Sequence, residues 1–179
     1  MTSSSDIHRL QALIRTIPDF PEPGIQFRDI TALLADADGL TLALDAMAEG
    51  LAPGDVDAVV AVEARGFLLA GGLAHRLHCG VVPVRKPGKL PGPTLGVSYA
   101  LEYGEDRLEM HQGALRPGAR ILVVDDLIAT GGTALATGEL VTRAGGHIVG
   151  FRFLIDLPEL GGAAKLAARG WSPRALLSY

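Results

Sequence analysis

Along the central part of this chain, apolar runs of strand length alternate with segments of helical period. Val56 to Val62 predicts a strand, Phe67 to about Leu77 a helix, and Val81 to Val84 a second strand. Ile121 to Val124, four mostly β-branched residues, predicts a strand buried on both faces. Thr133 to Ala144 predicts its helix, closed by Gly145-Gly146, and His147 to Ile155 a further strand. Strands separated by single helices imply right-handed parallel connections. The fold class is therefore α/β: an open, mainly parallel, twisted sheet with helices on both faces. Upstream, Ile7, Leu10, Leu13, Ile14 and Ile17 recur at helical spacing after Ser5 and Asp6, and Pro18 ends that helix. Pro21, Pro23 and Gly24 then force an irregular segment towards Thr31. A second helix is expected from about Gly39 to Leu51, stopped by Pro53-Gly54. At the far end, Leu160 to Gly170 reads as a short helix and Trp171 to Tyr179 as a packed tail.

One excursion breaks the alternation. From Lys86 to Gly118 no helical pattern appears. Val97, Tyr99, Leu101 and Tyr103 alternate with smaller or polar residues, Gly104-Glu105-Asp106 turns, and Leu108 and Met110 alternate again. Two readings fit: a two-stranded flap over a site, or an edge hairpin completing the sheet.

The 179 residues are expected to form a single domain over a five- or six-stranded sheet. A hydrophobic fraction of 48% with 20% charged residues excludes a disordered chain. A net charge of -4 without a basic run argues against nucleic acid as the main partner. The single cysteine, Cys79, fits a reducing compartment, and no Cys/His cluster has zinc spacing. The start, M-T-S-S-S-D, has no apolar leader, and no stretch reaches membrane-spanning length. A cytoplasmic protein is expected.

The candidate chemistry gathers in Ile121 to Thr133, I-L-V-V-D-D-L-I-A-T-G-G-T. Asp125 and Asp126 are expected where the strand ends, and Ala129, Thr130, Gly131, Gly132 and Thr133 open the next helix. Ligands of open parallel sheets bind beyond the carboxyl ends of the strands. A glycine-rich turn at a helix N-terminus presents free N–H groups and a positive dipole end to a phosphate. Carboxylates accept hydrogen bonds from hydroxyls such as those of a ribose. A phosphorylated sugar satisfies both. Neither G-x-x-x-x-G-K-[ST] nor G-x-G-x-x-G occurs, so a P-loop and a dinucleotide fold are unsupported. A bare solvated turn would explain Asp-Asp before Gly-Gly, but not Thr on both sides of the glycines.

Glu63-Ala64-Arg65-Gly66-Phe67 repeats the strand–loop–helix logic. Arg65 can fork onto phosphate oxygens; alternatively, Glu63 and Arg65 form a local salt bridge. Arg85, Lys86 and Lys89 form a basic cluster after a buried strand, either a solvated face or a group facing a leaving pyrophosphate. Phe27, beside Gln26 and Arg28, is either a plug over the core or a platform for a base.

The run Ile121–Thr133 resembles the signature of the type I phosphoribosyltransferases. P-D-F-P-E-P-G-I-Q-F-R-D-I-T, A-V-E-A-R-G-F and G-K-L-P-G-P-T with S-Y-A-L-E-Y-G extend the likeness, in order and over most of the chain, to the adenine branch of that family. The resemblance implies transfer of phosphoribose from phosphoribosyl pyrophosphate to adenine, with Mg²⁺ held mainly through substrate and water, in a homodimer. It implies that residues 18–31 form a base-binding hood and 86–118 a flap. Ala129 to Thr133 would hold the 5′-phosphate and Asp125 and Asp126 the ribose hydroxyls. Glu63, Ala64, Arg65, Arg85, Lys86 and Lys89 would meet the pyrophosphate, around a peptide that is strained or cis in relatives. Gln26, Phe27 and Arg28 would meet adenine, and Glu102 would exchange the purine proton. Gln26 replaces a commonly apolar residue and Gly96 a commonly bulkier one, which implies a looser flap. A sibling transferase for another base, and a regulator that binds phosphoribosyl pyrophosphate without turnover, are the alternatives.

Overall fold

The helical period expected from Ile7 to Ile17 is broken halfway. In the computed structural model, which describes residues 2–100 and 105–179, helix α1 is Ser4–Ala12. Its cap is Ser3: the hydroxyl accepts from the Asp6 amide at 3.2 Å and the Asp6 carboxylate accepts from the Ser3 amide at 2.9 Å. Ile17 is thus not helical. Strand β1 (Arg15–Pro18) pairs antiparallel with β2 (Gln26–Asp29), and Arg15 reaches the Asp29 carboxylate at 2.8 Å. This pairing satisfies the backbone that the apolar spacing alone would have left in a helix. Irregular chain is confined to residues 19–25, where Asp19 and Gly24 have φ of 55° and 90° and the Gly24 amide donates to Asp19 Oδ1 at 2.7 Å. A short helix α2 (Thr31–Ala35) leads into α3 (Ala37–Met47), with Asp36 as cap to the Gly39 amide at 2.6 Å. Helix α3 starts earlier and ends earlier than its sequence signals suggest. These elements belong to the first of two compact units, residues 1–49 and 50–179.

The second unit is built on five strands: β3 (Ala58–Val62), β4 (Gly80–Val84), β7 (Arg120–Ile128), β8 (His147–Asp156) and β9 (Pro173–Ser178). They lie in the order β4-β3-β7-β8-β9, and every neighbouring pair is parallel. The expected tail is therefore the edge strand β9, too short and mixed in R-A-L-L-S to announce itself. Between the parallel strands run α4 (Arg65–Leu77), α5 (Gly132–Arg143) and α6 (Gly162–Ala168). From β3 the chain steps outward to β4; from β7 it steps the other way to β8 and β9. Right-handed crossovers in opposite directions place α4 and α5 on opposite faces and make the β3/β7 boundary the topological switch point. Val60, Ile121, Val123, Leu140, Phe151 and Phe153 are among the buried residues of the core.

The excursion forms its own two-stranded antiparallel sheet, β5 (Thr94–Ala100) with β6 (Glu105–His111). It does not complete the main sheet, so the edge-hairpin reading does not hold. Among the described residues a bridge joins it to the end of β4: Arg85 and Glu109 exchange backbone hydrogen bonds at 2.9 and 2.7 Å. Val97, Leu108 and Met110 are buried in the main core, so the root of the flap is fixed. Glu105 and Asp106, expected in the turn, belong to β6; residues 101–104, including Glu102, lie outside the described residues. The space at Gly96 is taken by Arg107, whose guanidinium would come within 2.2 Å of any added Cβ.

Candidate active site

Strand β7 outlasts its neighbour β3. Their last paired residues are Ala61 and Val124, whereas β7 continues beside β8 to Ile128 and Asp156. Asp125 and Asp126 therefore sit within a strand rather than at its end, contrary to the sequence expectation. They line a crevice because β3 no longer pairs beside them. The crevice so formed, about 390 Å³, is lined by residues 62–65 and 125–134, at the switch point. Gly131, with φ 83°, caps α5 without any side-chain hydrogen bond, so the first-turn N–H groups remain available to an anion.

The charges of this crevice are coupled. Arg65, first residue of α4, lies 2.8 Å from Oδ2 of Asp126, itself only 6% exposed. That contact has the distance of an ion pair without the alignment of a hydrogen bond, and Oδ2 has no hydrogen-bond donor. Oδ1 of Asp125 accepts from the Asp126 amide at 2.9 Å. Burial first, then the neighbouring Asp126 charge, pushes the Asp125 carboxyl well above the usual carboxylate range. Gly66 permits this approach: a Cβ there would lie 2.8 Å from Asp125 Oδ1 and 3.2 Å from the Val124 carbonyl.

Glu63 and Arg65 do not pair with each other. Glu63 instead binds Arg85, at 2.7 Å to Nε, and accepts from the Lys86 amide at 2.6 Å. Burial acts to raise the Glu63 carboxyl, but these donors outweigh it and hold it below its ordinary range. A carboxylate so occupied orients Arg85 at the rim of the crevice that Glu63 lines. The peptide between Glu63 and Ala64 is cis, and Ala64 lines the crevice. Arg85 also donates to the Lys89 carbonyl at 3.2 Å. Lys86 pairs through its ammonium with Asp106 of the flap, and the Tyr99 hydroxyl donates to the same carboxylate at 3.0 Å and lies 3.4 Å from Thr133 Oγ1. The basic cluster is thus a network shared with the flap and not a merely solvated face.

Gln26, Phe27 and Arg28 sit together on β2 of the first unit, in a regular strand and not the irregular loop expected of them. The Phe27 ring packs edge-on against Phe20 with centroids 5.1 Å apart, and Arg28 binds Thr16 across the hairpin. Three partners escaped the sequence reading: Asp106, Tyr99, and the segment Gly161–Lys165. The last had a visible signal, a Gly-Gly shortly after a long apolar strand. Asp106 had none, because its partner Lys86 lies 20 residues away.

A family model described as phosphoribosyl transferase domain matches residues 26–165. An adenine phosphoribosyltransferase of Maricaulis maris is 54% identical over 95% of this chain and 97% of its own. One from Bradyrhizobium diazoefficiens is 52% identical over 96% of both. Among solved structures, adenine phosphoribosyltransferase from Rhodothermus marinus superposes with a TM-score of 0.94 at 51% identity, covering 99% of this chain and 100% of that one. The Saccharomyces cerevisiae enzyme, complexed with an imino-altritol bisphosphate and adenine, gives 0.90 at 35% identity over 98% and 100%. With a two-carboxylate, Gly-Gly crevice at the switch point of a parallel sheet and these likenesses along nearly its whole length, the chain belongs to the adenine phosphoribosyltransferases of the phosphoribosyltransferase family.

Proposed function

We infer that this chain transfers the 5-phosphoribosyl group from phosphoribosyl pyrophosphate to adenine, giving AMP and pyrophosphate, a purine-salvage reaction. The observation that carries the reading is one crevice that combines an open helix N-terminus, two carboxylates and Arg65. Those groups match, in order, a terminal phosphate, a diol and a second phosphate-bearing end. The family match draws on both units, which supports reading residues 1–179 as one phosphoribosyltransferase domain.

In this reading Ala129 to Thr133 hold the 5′-phosphate, Asp125 and Asp126 the ribose hydroxyls. Arg65, Arg85, Lys86 and Lys89 face the pyrophosphate, with Glu63 orienting Arg85. Cleavage of the C1′–O bond leaves positive charge on the ribose while the electron pair departs with pyrophosphate, whose oxygens the cationic side chains stabilise. N9 of adenine attacks from the opposite face, and Glu102 accepts the purine proton. Phe27 stacks on the base beside Gln26 and Arg28, and a backbone carbonyl of that segment accepts from the 6-amino group. A 6-oxopurine would need a donor there. The flap excludes water from the activated sugar.

The residues suit Mg²⁺ bound together with substrate. Asp125 and Asp126 bring two carboxylates into the crevice, and Mg²⁺ is typically held by one or two carboxylates, waters and substrate oxygens. Asp125 and Asp126 would hold it through water and substrate hydroxyls, and it would supply positive charge to the departing oxygens. A homodimer belongs to the same reading, as the resemblance to the family implies. No described helix is long and apolar enough to cross a membrane; with the one free thiol, Cys79, this supports a cytoplasmic reading.

A panel of bases with phosphoribosyl pyrophosphate and Mg²⁺ tests the reading. Adenine should be consumed fastest, with AMP and pyrophosphate formed in equal amounts, and a chelator should stop turnover. Faster use of hypoxanthine or orotate would reassign the base; tight binding without turnover would favour a regulator.

A further inference from the structure

The segment that follows β8 approaches the phosphate loop from behind and contributes nothing to the lining of the crevice. The Leu157 amide donates to the Ile128 carbonyl at 3.0 Å, the Gly162 amide to the Ala129 carbonyl at 3.0 Å, and Lys165 Nζ to the Thr130 carbonyl at 2.8 Å. Three successive carbonyls, 128 to 130, are thereby tied to one short stretch of chain. The contact admits no side chains. A Cβ on Gly162 would lie 2.3 Å from the Ala129 oxygen, and one on Gly131 would lie 2.9 Å from the Gly162 Cα.

The peptide bonds of this loop are trans, so each amide N–H points opposite to the carbonyl that precedes it. Anchoring the Ala129 and Thr130 carbonyls on the α6 side turns the Thr130 and Gly131 N–H groups away from α6, towards the crevice. They join there the uncapped N–H groups of the first turn of α5. The ammonium on the Thr130 oxygen also polarises that peptide and strengthens the Gly131 N–H as a donor. We propose that Lys165 is a positioning residue for 5′-phosphate recognition: with Gly162 as the abutment, it sets the two loop amides that grip the phosphate. The proposal rests on the reading of residues 129–133 as the 5′-phosphate site. Lys165 is exposed, and among the described residues its side chain bonds one other segment, through the Thr130 carbonyl, so its replacement leaves the core intact.

The test uses the full chain with Lys165→Met and Lys165→Arg, and binding of ribose 5-phosphate and of pyrophosphate by calorimetry beside steady-state kinetics. Lys165→Met should weaken ribose 5-phosphate about tenfold and raise KM for phosphoribosyl pyrophosphate similarly, as loss of a charge-assisted hydrogen bond does. Pyrophosphate affinity, KM for adenine and Tm should stay at the wild-type values, and Lys165→Arg should restore most of the loss. Gly162→Ala, which drives a methyl group into the Ala129 carbonyl, should show the same selective loss more strongly. Unchanged ribose 5-phosphate affinity in Lys165→Met would overturn the proposal, as would an equal loss of pyrophosphate affinity, which marks a general charge effect. A wild-type chain that binds ribose 5-phosphate but forms no AMP from phosphoribosyl pyrophosphate and adenine would overturn the transferase reading alone, since the binding comparison still decides the role of Lys165.

Discussion

Asp125 works against the stability of the ligand-free protein. It is held against Asp126 in a crevice that burial makes hostile to a second negative charge, and its carboxyl titrates well above the usual range. A carboxyl whose folded value is raised contributes stability at low pH and loses it as pH rises through that folded value. Asp125→Asn keeps an oxygen for the Asp126 amide and removes the charge. It should raise Tm at pH 8, with the difference fading towards pH 4, and should weaken phosphoribosyl pyrophosphate about tenfold or more through loss of a charged acceptor. Thermal melts and titrations on the same sample check both halves. A variant less stable than wild type at pH 8 would contradict the assignment of cost to the charge.

At the level of elements, the flap and the basic loop are electrically linked. Lys86 is bound by Asp106 of β6, and the hydrogen bond to that carboxylate is the main cause of its raised pKa. Tyr99 of β5 bonds the same carboxylate and reaches Thr133 at the mouth of α5. In the ligand-free arrangement Asp106 therefore occupies the charge that a pyrophosphate would use. Asp106→Asn should tighten pyrophosphate about two- to fivefold, the range of a partly exposed ion pair, and the gain should shrink at high salt. Calorimetric titration at two ionic strengths measures it; unchanged or weaker binding would mean that Asp106 does not compete for Lys86.

Across the whole molecule, the site lies at one end of the sheet and a fastening pair at the other. Asp57 and Arg120 stand at the entries to β3 and β7. The arginine donates through its amide at 2.7 Å, Nε at 3.1 Å and Nη2 at 3.0 Å. The side-chain bonds, then the amide, lower the Asp57 carboxyl to about 2. Because the folded value is depressed, the pair stabilises the fold above the unfolded value near 3.9, and that contribution is lost as pH falls from there to about 2. Asp57→Asn should lower Tm at pH 7 and converge with wild type near pH 2, while transfer activity at 25 °C persists because the crevice lies at the opposite strand ends. Melting curves from pH 2 to 7 decide this; a Tm difference independent of pH would assign the loss to packing.

Local signals in the chain determined the parallel α/β core and marked out Asp125, Asp126, Ala129 to Thr133 and Arg65, which the fold brings into one crevice. Buried β-branched runs, a Gly-Gly helix start and the absence of competing phosphate motifs are all readable within a dozen residues. The tertiary structure decided what depends on partners distant in sequence. Ile17 left the helical pattern because Arg15–Pro18 found β2, and the C-terminal tail became a strand because β8 offered an edge. Glu63 binds Arg85 and Asp106 binds Lys86, contacts that span about 20 residues of sequence. Two aspartates inside a strand line a crevice because β3 pairing stops at Val124 while β8 pairing runs on to Ile128, a consequence of register that the residues of β7 alone do not encode.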